Sequence, residues 1–168
     1  SELNTNTRYL YDGFTDYAEK LLSYFPPQLN KIFMVNSGSA ATDLALRMSR
    51  THTDRNNVAI LEYGYHGNST LGIEVSSYKF DGKGGSGAGS TVIKLPFPSE
   101  FGGAFDSSDQ YVQDAIARIK LSVEEGEKPC AFIGEMISGC GGQIPLAPGY
   151  MKALNQFLQE NGILTIAD

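Results

Sequence analysis

Small hydroxyl and glycine residues separate two apolar stretches near residue 36. The sequence of residues 33–50 is FMVNSGSAATDLALRMSR, and its apolar spacing changes from that of a strand to that of a helix after Ser37-Gly38-Ser39. The first N–H groups of a helix lack intrahelical partners, and the helix dipole is positive there. Gly38 lets a ligand approach the backbone and the serine hydroxyls add donors, so the junction predicts a phosphate-binding site. The alternative is a serine that only caps the helix.

An aromatic side chain and an imidazole follow the next apolar run. Tyr65 and His66 stand in YGYHG, which overlaps the end of the apolar run at residues 57–63. An aromatic ring at such a position can stack on a flat ligand. Taken alone, the pattern also fits a turn aromatic that packs on the core.

Two carboxylates end apolar runs further along the chain. Glu135 follows the apolar run that starts at Cys130, and Asp168 closes ILTIAD, residues 163–168. A carboxylate at the end of a buried strand is costly unless it has a partner. Each carboxylate therefore predicts a cap or a salt bridge, or, for Asp168, a contact with a cationic nitrogen of a ligand.

Strand-like and helix-like segments alternate along the chain, which predicts an α/β fold with a mostly parallel sheet flanked by helices. In such a sheet ligands bind beyond the carboxyl ends of the strands, where the polar residues above all fall. We expect residues 1–168 to form a single partial domain, with a mobile glycine-rich loop at 81–90. The predicted helices are 5–25, 40–48, a short one within 65–75, 107–125 and 148–162, and the predicted buried strands are 31–35, 57–63, 91–95, 130–136 and 163–168.

Composition excludes several classes of protein. The chain has 168 residues, 41% of them hydrophobic, and a net charge of −6, which argues against a nucleic acid or an anionic membrane as the main partner. Neither a membrane-spanning stretch nor a secretory signal pattern is apparent in the sequence. Cys130 and Cys140 suggest no disulfide framework, which favours a reduced, cytoplasmic location. The histidines and cysteines match no zinc spacing, so we predict no metal site.

The three predicted features together describe one ligand. An anion cradle, an aromatic ring and a buried carboxylate fit a phosphorylated, flat heterocycle with a protonated nitrogen, and pyridoxal 5′-phosphate is such a molecule. Its phosphate would bind at the helix N-terminus and its ring would lie on Tyr65. Its pyridinium nitrogen would pair with Asp168, which keeps that nitrogen protonated and lets the ring accept electrons.

Several stretches also carry a resemblance to a known family. They are NSGSAATDLALRMSR, YGYHGNST, YKFDGKGG and FIGEMISGCGGQIPLAPGY, followed by GILTIAD. They resemble the class III aminotransferases, which are fold-type I pyridoxal-phosphate enzymes, and in particular the branch of alanine–glyoxylate aminotransferase 2-like proteins and phosphoethanolamine phospho-lyases. The resemblance implies that the chain is part of the large domain of such an enzyme. The cofactor-binding residues that it implies are Gly38, Ser39, Tyr65, His66, Glu135 and Asp168.

The resemblance also indicates what the chain lacks. The family bonds its cofactor to a lysine that follows the aspartate strand further along the chain, and no lysine here lies in a matching motif. We therefore expect a fragment without a catalytic residue of its own, inactive by itself. Ala40 and Ser138 stand where the family usually has Glu and Gln. Cys140 stands where many transaminases carry a glutamate that pairs with a substrate-binding arginine, which fits the phospho-lyase branch.

The expected activity of the parent protein is transfer of an amino group between an amine or amino acid and a 2-oxo acid. The alternatives are a phospho-lyase that acts on a phosphorylated amino alcohol, a non-catalytic scaffold that keeps the fold, and a nucleotide-binding α/β domain of another pattern. Family members are usually dimers with the active site at the subunit interface. The resemblance therefore implies a homodimer of the full-length protein, in which the loop at 81–90 orders against a partner or a substrate.

Overall fold

The computed structural model describes residues 11–168, which fall into two compact units divided after Val35. The first unit contains helix α1, which spans Asp12–Leu22 and follows an extended Tyr11. Asp12 lies in its first turn and Lys20 in its last, so both charges complement the helix dipole. The predicted helix is confirmed from Asp12 to Leu22, and its predicted residues 5–10 lie outside the described part.

The predicted buried strand at 31–35 is wrong. The segment has neither helix nor strand geometry, and Phe33 is 62% exposed. A strand forms only where a neighbouring strand accepts and donates its backbone hydrogen bonds. Within the described residues this segment pairs with no strand, so its apolar composition alone does not make it one.

The second unit, Asn36–Asp168, is built on a parallel sheet. The strands are β1 Val58–Leu61, β2 Val92–Leu95, β3 Ala131–Gly134, β4 Ile137–Ser138, β5 Ile144–Pro145 and β6 Leu164–Ala167. Four of them form the sheet in the order β2-β1-β3-β6, and every adjacent pair is parallel. A separate antiparallel hairpin is formed by β4 and β5.

Helices cover both faces of this sheet. Alternate residues of a strand point to opposite faces, and in β1 Ala59 and Leu61 join one apolar cluster while Val58 and Ile60 join the other. The helices of this unit are α2 Gly38–Thr53, α3 Thr70–Glu74, α4 Ser77–Phe80, α5 Ser108–Glu124 and α6 Tyr150–Glu160. The first cluster includes side chains of α5 and α6, and the second includes Leu46 of α2. The predicted fold class, α/β with a mostly parallel sheet flanked by helices, is confirmed.

The last strand differs from its prediction. β6 lies at the edge of the sheet, where it pairs only with β3, and Leu164 is 37% exposed. The prediction of a buried strand rests on the mostly apolar residues 163–167, but an edge strand has a neighbour on one side only. β1 and β3 are the central strands, and all four residues of each are buried.

Within residues 11–168 the structure contains no helix that is both long and apolar enough to cross a bilayer.

Candidate functional site

The N-terminus of α2 presents polar groups after a serine cap. Ser37 caps the helix, because its Oγ accepts the Ala40 N–H at 3.2 Å. Gly38 opens the helix, and a Cβ built on it would meet nothing within 4 Å, so there is free space beside this backbone. Ser39 Oγ accepts the Asn68 N–H at 3.0 Å, which leaves the Ser39 hydroxyl hydrogen available for another acceptor. Ser37 therefore acts as the cap of α2, and Gly38 and Ser39 remain available to a ligand.

The turn after β1 lies directly against Ser39. Gly67 has φ +124°, and a Cβ built on it would lie 2.9 Å from the Ser39 Cα. Both the backbone angle and the close contact require glycine at this position. Gly67 is not among the predicted site residues, although its place directly after Tyr65 and His66 is a usable signal.

His66 and Asp168 form a hydrogen-bonded pair at the carboxyl end of the sheet. His66 Nδ1 lies 2.7 Å from Asp168 Oδ2, with the His66 side chain fully buried and the Asp168 side chain 35% exposed. The Asp168 backbone N–H donates to the Gly134 carbonyl, and the His66 N–H donates to Ser76 Oγ at 2.8 Å. Asp168 thus has a protein partner on Oδ2, while Oδ1 has no hydrogen-bond partner among the described residues.

Glu135 connects the Tyr65 turn to the β4–β5 hairpin. Its Oε2 accepts the Tyr65 N–H at 3.2 Å, and its Oε1 accepts the Gly139 N–H at 3.0 Å. The Tyr65 ring is half-buried and lies edge-on to Tyr78, with 6.2 Å between centroids. Glu135 therefore positions the segments around Tyr65.

A cavity of about 300 Å³ brings most of the predicted site residues together, a volume at the lower end of small-molecule pockets. Of the predicted residues, only Glu135 is not among those that line it. Thr42 was missed in the sequence, although it lies one helical turn after Ser39 and thus on the same face of α2. The lining residues are Gly38, Ser39, Thr42, Tyr65, His66, Gly67 and Asp168.

A second link holds α2 to the turn that follows His66. The Ser69 hydroxyl donates to Asp43 Oδ1 at 2.6 Å, and Ser69 Oγ accepts the Gly72 N–H at 2.9 Å as the cap of α3. Asp43 lies one turn along α2 from Ser39. The Asp43–Ser69 link therefore fixes the spacing between α2 and the turn that lines the cavity.

The two cysteines differ in environment. Cys140 is exposed in the turn of the β4–β5 hairpin and Cys130 is buried, and both are free thiols. Burial raises the pKa of the Cys130 thiol, and the positive charge of Arg50 opposes that shift. Ser138, next to the turn, is 2% exposed, and its Oγ has no hydrogen-bond partner among the described residues.

Comparison with known proteins places this fold and cavity in a family. The family profile described as Aminotransferase class-III matches residues 4–168. The chain belongs to the class III aminotransferase family. Pyridoxal 5′-phosphate, the predicted cofactor, is the cofactor of this family and is thereby confirmed at the level of the family.

Individual relatives cover nearly the whole of this chain but only part of their own length. An alanine–glyoxylate aminotransferase 2-like protein of Drosophila melanogaster is 37% identical, with 99% of this chain and 35% of the relative covered. A Homo sapiens protein named alanine–glyoxylate aminotransferase 2, mitochondrial, is 31% identical over 98% of this chain and 36% of its own length. A phospholyase from Arthrobacter, solved in complex with phosphoethanolamine, has a TM-score of 0.86 and 32% identity, with 99% of this chain and 40% of that chain covered. The chain thus spans between 35% and 40% of the length of these relatives.

Proposed function

We propose that this chain is the cofactor-binding portion of a pyridoxal-phosphate-dependent enzyme that transfers an amino group between an amine or amino acid and a 2-oxo acid. We also propose that residues 1–168 are one partial domain of it. The observation that supports this proposal most directly is that Ser39 and Asp168 line the same cavity. The Ser39 hydroxyl, in the first turn of α2, and the Asp168 carboxylate, which is held by His66, therefore lie within reach of one small molecule.

The residues present fit the cofactor. The open space beside Gly38 and the hydroxyl hydrogen of Ser39 suit its phosphate, because the helix N-terminus adds free N–H groups and positive potential. Tyr65 supplies an aromatic surface for its ring, and Asp168 an anionic partner for its ring nitrogen. Bound there, the cofactor withdraws electrons from the substrate carbon that carries the amino group.

His66 and Glu135 support this arrangement from the protein side. His66 holds one oxygen of Asp168 and so orients the carboxylate, while Glu135 holds the backbone of Tyr65. No lysine lines the cavity among the described residues. We place the lysine that bonds the cofactor, and moves the proton at the substrate carbon, in the remainder of a longer protein.

A second candidate, phospho-lyase chemistry, is favoured by two observations. Cys140 lies in the hairpin turn, where the family resemblance implies that many transaminases carry a glutamate, and a 32% identical relative is a phospholyase solved with phosphoethanolamine. The two activities differ in that the transaminase requires an oxo acid and the phospho-lyase does not. Release of inorganic phosphate from phosphoethanolamine without any oxo acid would support the lyase, whereas consumption of alanine only with glyoxylate present would support the transaminase.

Substitution of Asp168 by Asn tests the proposed cofactor site in the full-length protein. The amide presents no negative charge to the ring nitrogen, so we expect turnover to fall by on the order of a hundredfold. Asp109→Asn is the control, since Asp109 lies at the exposed start of α5. Turnover and cofactor content measured together check the prediction. An Asp168→Asn variant with the turnover of the Asp109→Asn variant would contradict the proposed role.

The remaining expectations concern the assembly and the location of the protein. We propose a homodimer in the cytoplasm, with small-molecule amino donors and oxo-acid acceptors as partners. Light scattering of the full-length protein and imaging of a tagged form would test both. The scaffold alternative predicts that the full-length protein turns over no amine, whether or not it retains pyridoxal 5′-phosphate.

A further inference from the structure

The Lys79 side chain contacts two aromatic rings, Tyr65, which lines the cavity, and Tyr78. Its Nζ lies 5.5 Å from the centroid of Tyr65 and 5.7 Å from the centroid of Tyr78. The two rings meet edge-on at an interplanar angle of 74°. Contact with two rings restricts the rotamers of the Lys79 side chain. The side chain therefore loses less conformational entropy when it binds a ligand.

The charge of Lys79 is not neutralised by a neighbouring carboxylate. Within residues 11–168 it forms no ion pair, and the acidic side chains nearest to it in the sequence bond elsewhere. Asp81 pairs with Lys94 at 2.7 Å. Glu74 accepts from Thr91 at 2.7 Å and pairs with Arg50 at 3.4 Å. Among the described residues Lys79 is therefore an exposed cation without an ion-pair partner, in a chain of net charge −6.

The position of Lys79 relative to the cavity defines what it can bind. Tyr65 lines the cavity and Lys79 does not, but the Lys79 ammonium lies 5.5 Å from the centroid of the Tyr65 ring. This place, outside the lining but next to one of its residues, is called the rim of the cavity. The phosphate of the cofactor has its own place at Ser39. A second anion at the rim would therefore belong to the substrate, which enters the cavity after the cofactor. The compact ammonium group of a lysine suits an oxyanion at that place.

We propose that Lys79 binds the anionic group of the amino substrate, a phosphate monoester or a carboxylate, at the rim of the cavity. The inference rests on the proposed function, because it requires a substrate that enters beside a bound cofactor. It assigns to the enzyme a preference for amines that carry a negatively charged group. That preference would come from charge rather than from the shape of the pocket.

The test uses the full-length, cofactor-loaded protein with the substitutions Lys79→Met and Lys79→Arg. Lys120→Met is the matched control, because Lys120 is also exposed and also lies over a ring, 5.9 Å from the centroid of Phe157, in a different part of the unit. The substrates are phosphoethanolamine, alanine and propylamine. We expect Lys79→Met to raise KM about tenfold, with little change in kcat, for the substrate whose anionic group Lys79 binds, either phosphoethanolamine or alanine. KM for propylamine, which has no anionic group, should stay unchanged. Lys79→Arg should restore most of the affinity.

Phosphoethanolamine and alanine separate the two sources of the anion. A rise in KM for phosphoethanolamine alone assigns Lys79 to a phosphate monoester, and a rise for alanine alone assigns it to a carboxylate. Equal KM values for Lys79→Met and Lys120→Met with both charged substrates would overturn the proposal. An equal rise with propylamine would also overturn it, because that result indicates a general disturbance of the cavity.

Calorimetric titration with inorganic phosphate gives a readout that needs no turnover. We expect the cofactor-loaded protein to bind phosphate more weakly as salt is raised, and Lys79→Met to weaken that binding about tenfold relative to Lys120→Met. If no amine is turned over by the unsubstituted protein, the proposed function fails. Loss of phosphate binding in Lys79→Met would then still support the anion site, and unchanged binding would contradict it.

Discussion

Gly67 brings the turn after β1 into contact with the first turn of α2. The φ of +124° is unfavourable for residues with a side chain, and the space that a Cβ would need is occupied by Ser39. The contact positions Asn68, whose N–H donates to Ser39 Oγ. The direction of the Ser39 hydroxyl therefore depends on the absence of a side chain two residues after Tyr65.

Replacement of Gly67 by Ala should weaken cofactor binding at least about tenfold, because the methyl group pushes the turn away from Ser39. Gly84→Ala is the matched control. Gly84 also has a positive φ, +85°, but a Cβ there would meet nothing within 4 Å, so the backbone strain is present without the contact. Cofactor dissociation constants and thermal unfolding of both variants check the prediction. Similar cofactor affinity in the two variants would show that the contact with Ser39 is unimportant.

His66 acts through Asp168, and its replacement should show this. His66→Ala removes the hydrogen bond to Asp168 Oδ2, and we expect cofactor affinity to fall roughly tenfold. His66→Asn places an amide donor near the position of Nδ1, so it should recover part of that loss. Cofactor affinity, measured beside unfolding temperature, separates the roles. If Asn recovered stability without affinity, orientation of Asp168 would not be the function of His66.

Short elements between the strands hold the cavity in place. The Asp43–Ser69 link joins α2 to the start of α3, and Glu135 joins the β4–β5 hairpin to the Tyr65 turn. Each link is a charge-assisted hydrogen bond to a carboxylate, which is stronger than a bond between neutral groups. The cavity wall thus depends on contacts between neighbouring elements as much as on its lining residues.

Two helix caps allow this dependence to be measured. Ser69 caps α3 and Ser107 caps α5, where its Oγ accepts the Gln110 N–H at 3.3 Å. Replacement of either serine by Ala should cost about 1 kcal/mol of unfolding free energy. Only Ser69→Ala also breaks the link to Asp43, so only that variant should lose cofactor affinity. Chemical unfolding and cofactor titration of both variants provide the comparison, and equal cofactor affinity would exclude a role for the link.

The elements that the sequence predicted well are those with long periodic patterns. α5 was expected at 107–125 and is found at Ser108–Glu124, because a serine start and a regular apolar face both mark it. The β4–β5 hairpin and α4 were missed, because two-residue strands and a four-residue helix are too short to carry a period. The site residues that follow the ends of strands could be predicted from the sequence. The contact of Gly67 with Ser39 could not, because it depends on a close approach between elements that are distant in sequence.

The chain forms a cavity that brings several predicted cofactor residues together. Gly38, Ser39, Tyr65 and Asp168 line it, and no lysine lines it in the part of the chain that the structure describes. Relatives are more than twice as long as this chain, which covers between 35% and 40% of their length. On the proposed function, binding of the cofactor and turnover are therefore separable properties.

The 168-residue chain by itself should show no amino transfer. An amino donor and an oxo acid incubated with the chain and pyridoxal 5′-phosphate provide the assay, and the full-length protein is the positive control. Turnover by the chain alone would mean that one of its own lysines, or free cofactor on its surface, performs the chemistry. Repetition with Asp168→Asn separates these cases, since free cofactor would not respond to the substitution.

The bond between His66 and Asp168 joins residues that are 102 positions apart. During translation, residues 38–67 leave the ribosome long before Asp168 does, and the carboxylate side of the cavity is absent until β6 has emerged and paired with β3. If the proposed cofactor site is correct, a nascent chain stalled before residue 168 offers the phosphate subsite but no partner for the ring nitrogen. On the proposed function, stable capture of the vitamin-derived coenzyme is thus a late event in biosynthesis, because it requires that β6 has already been made.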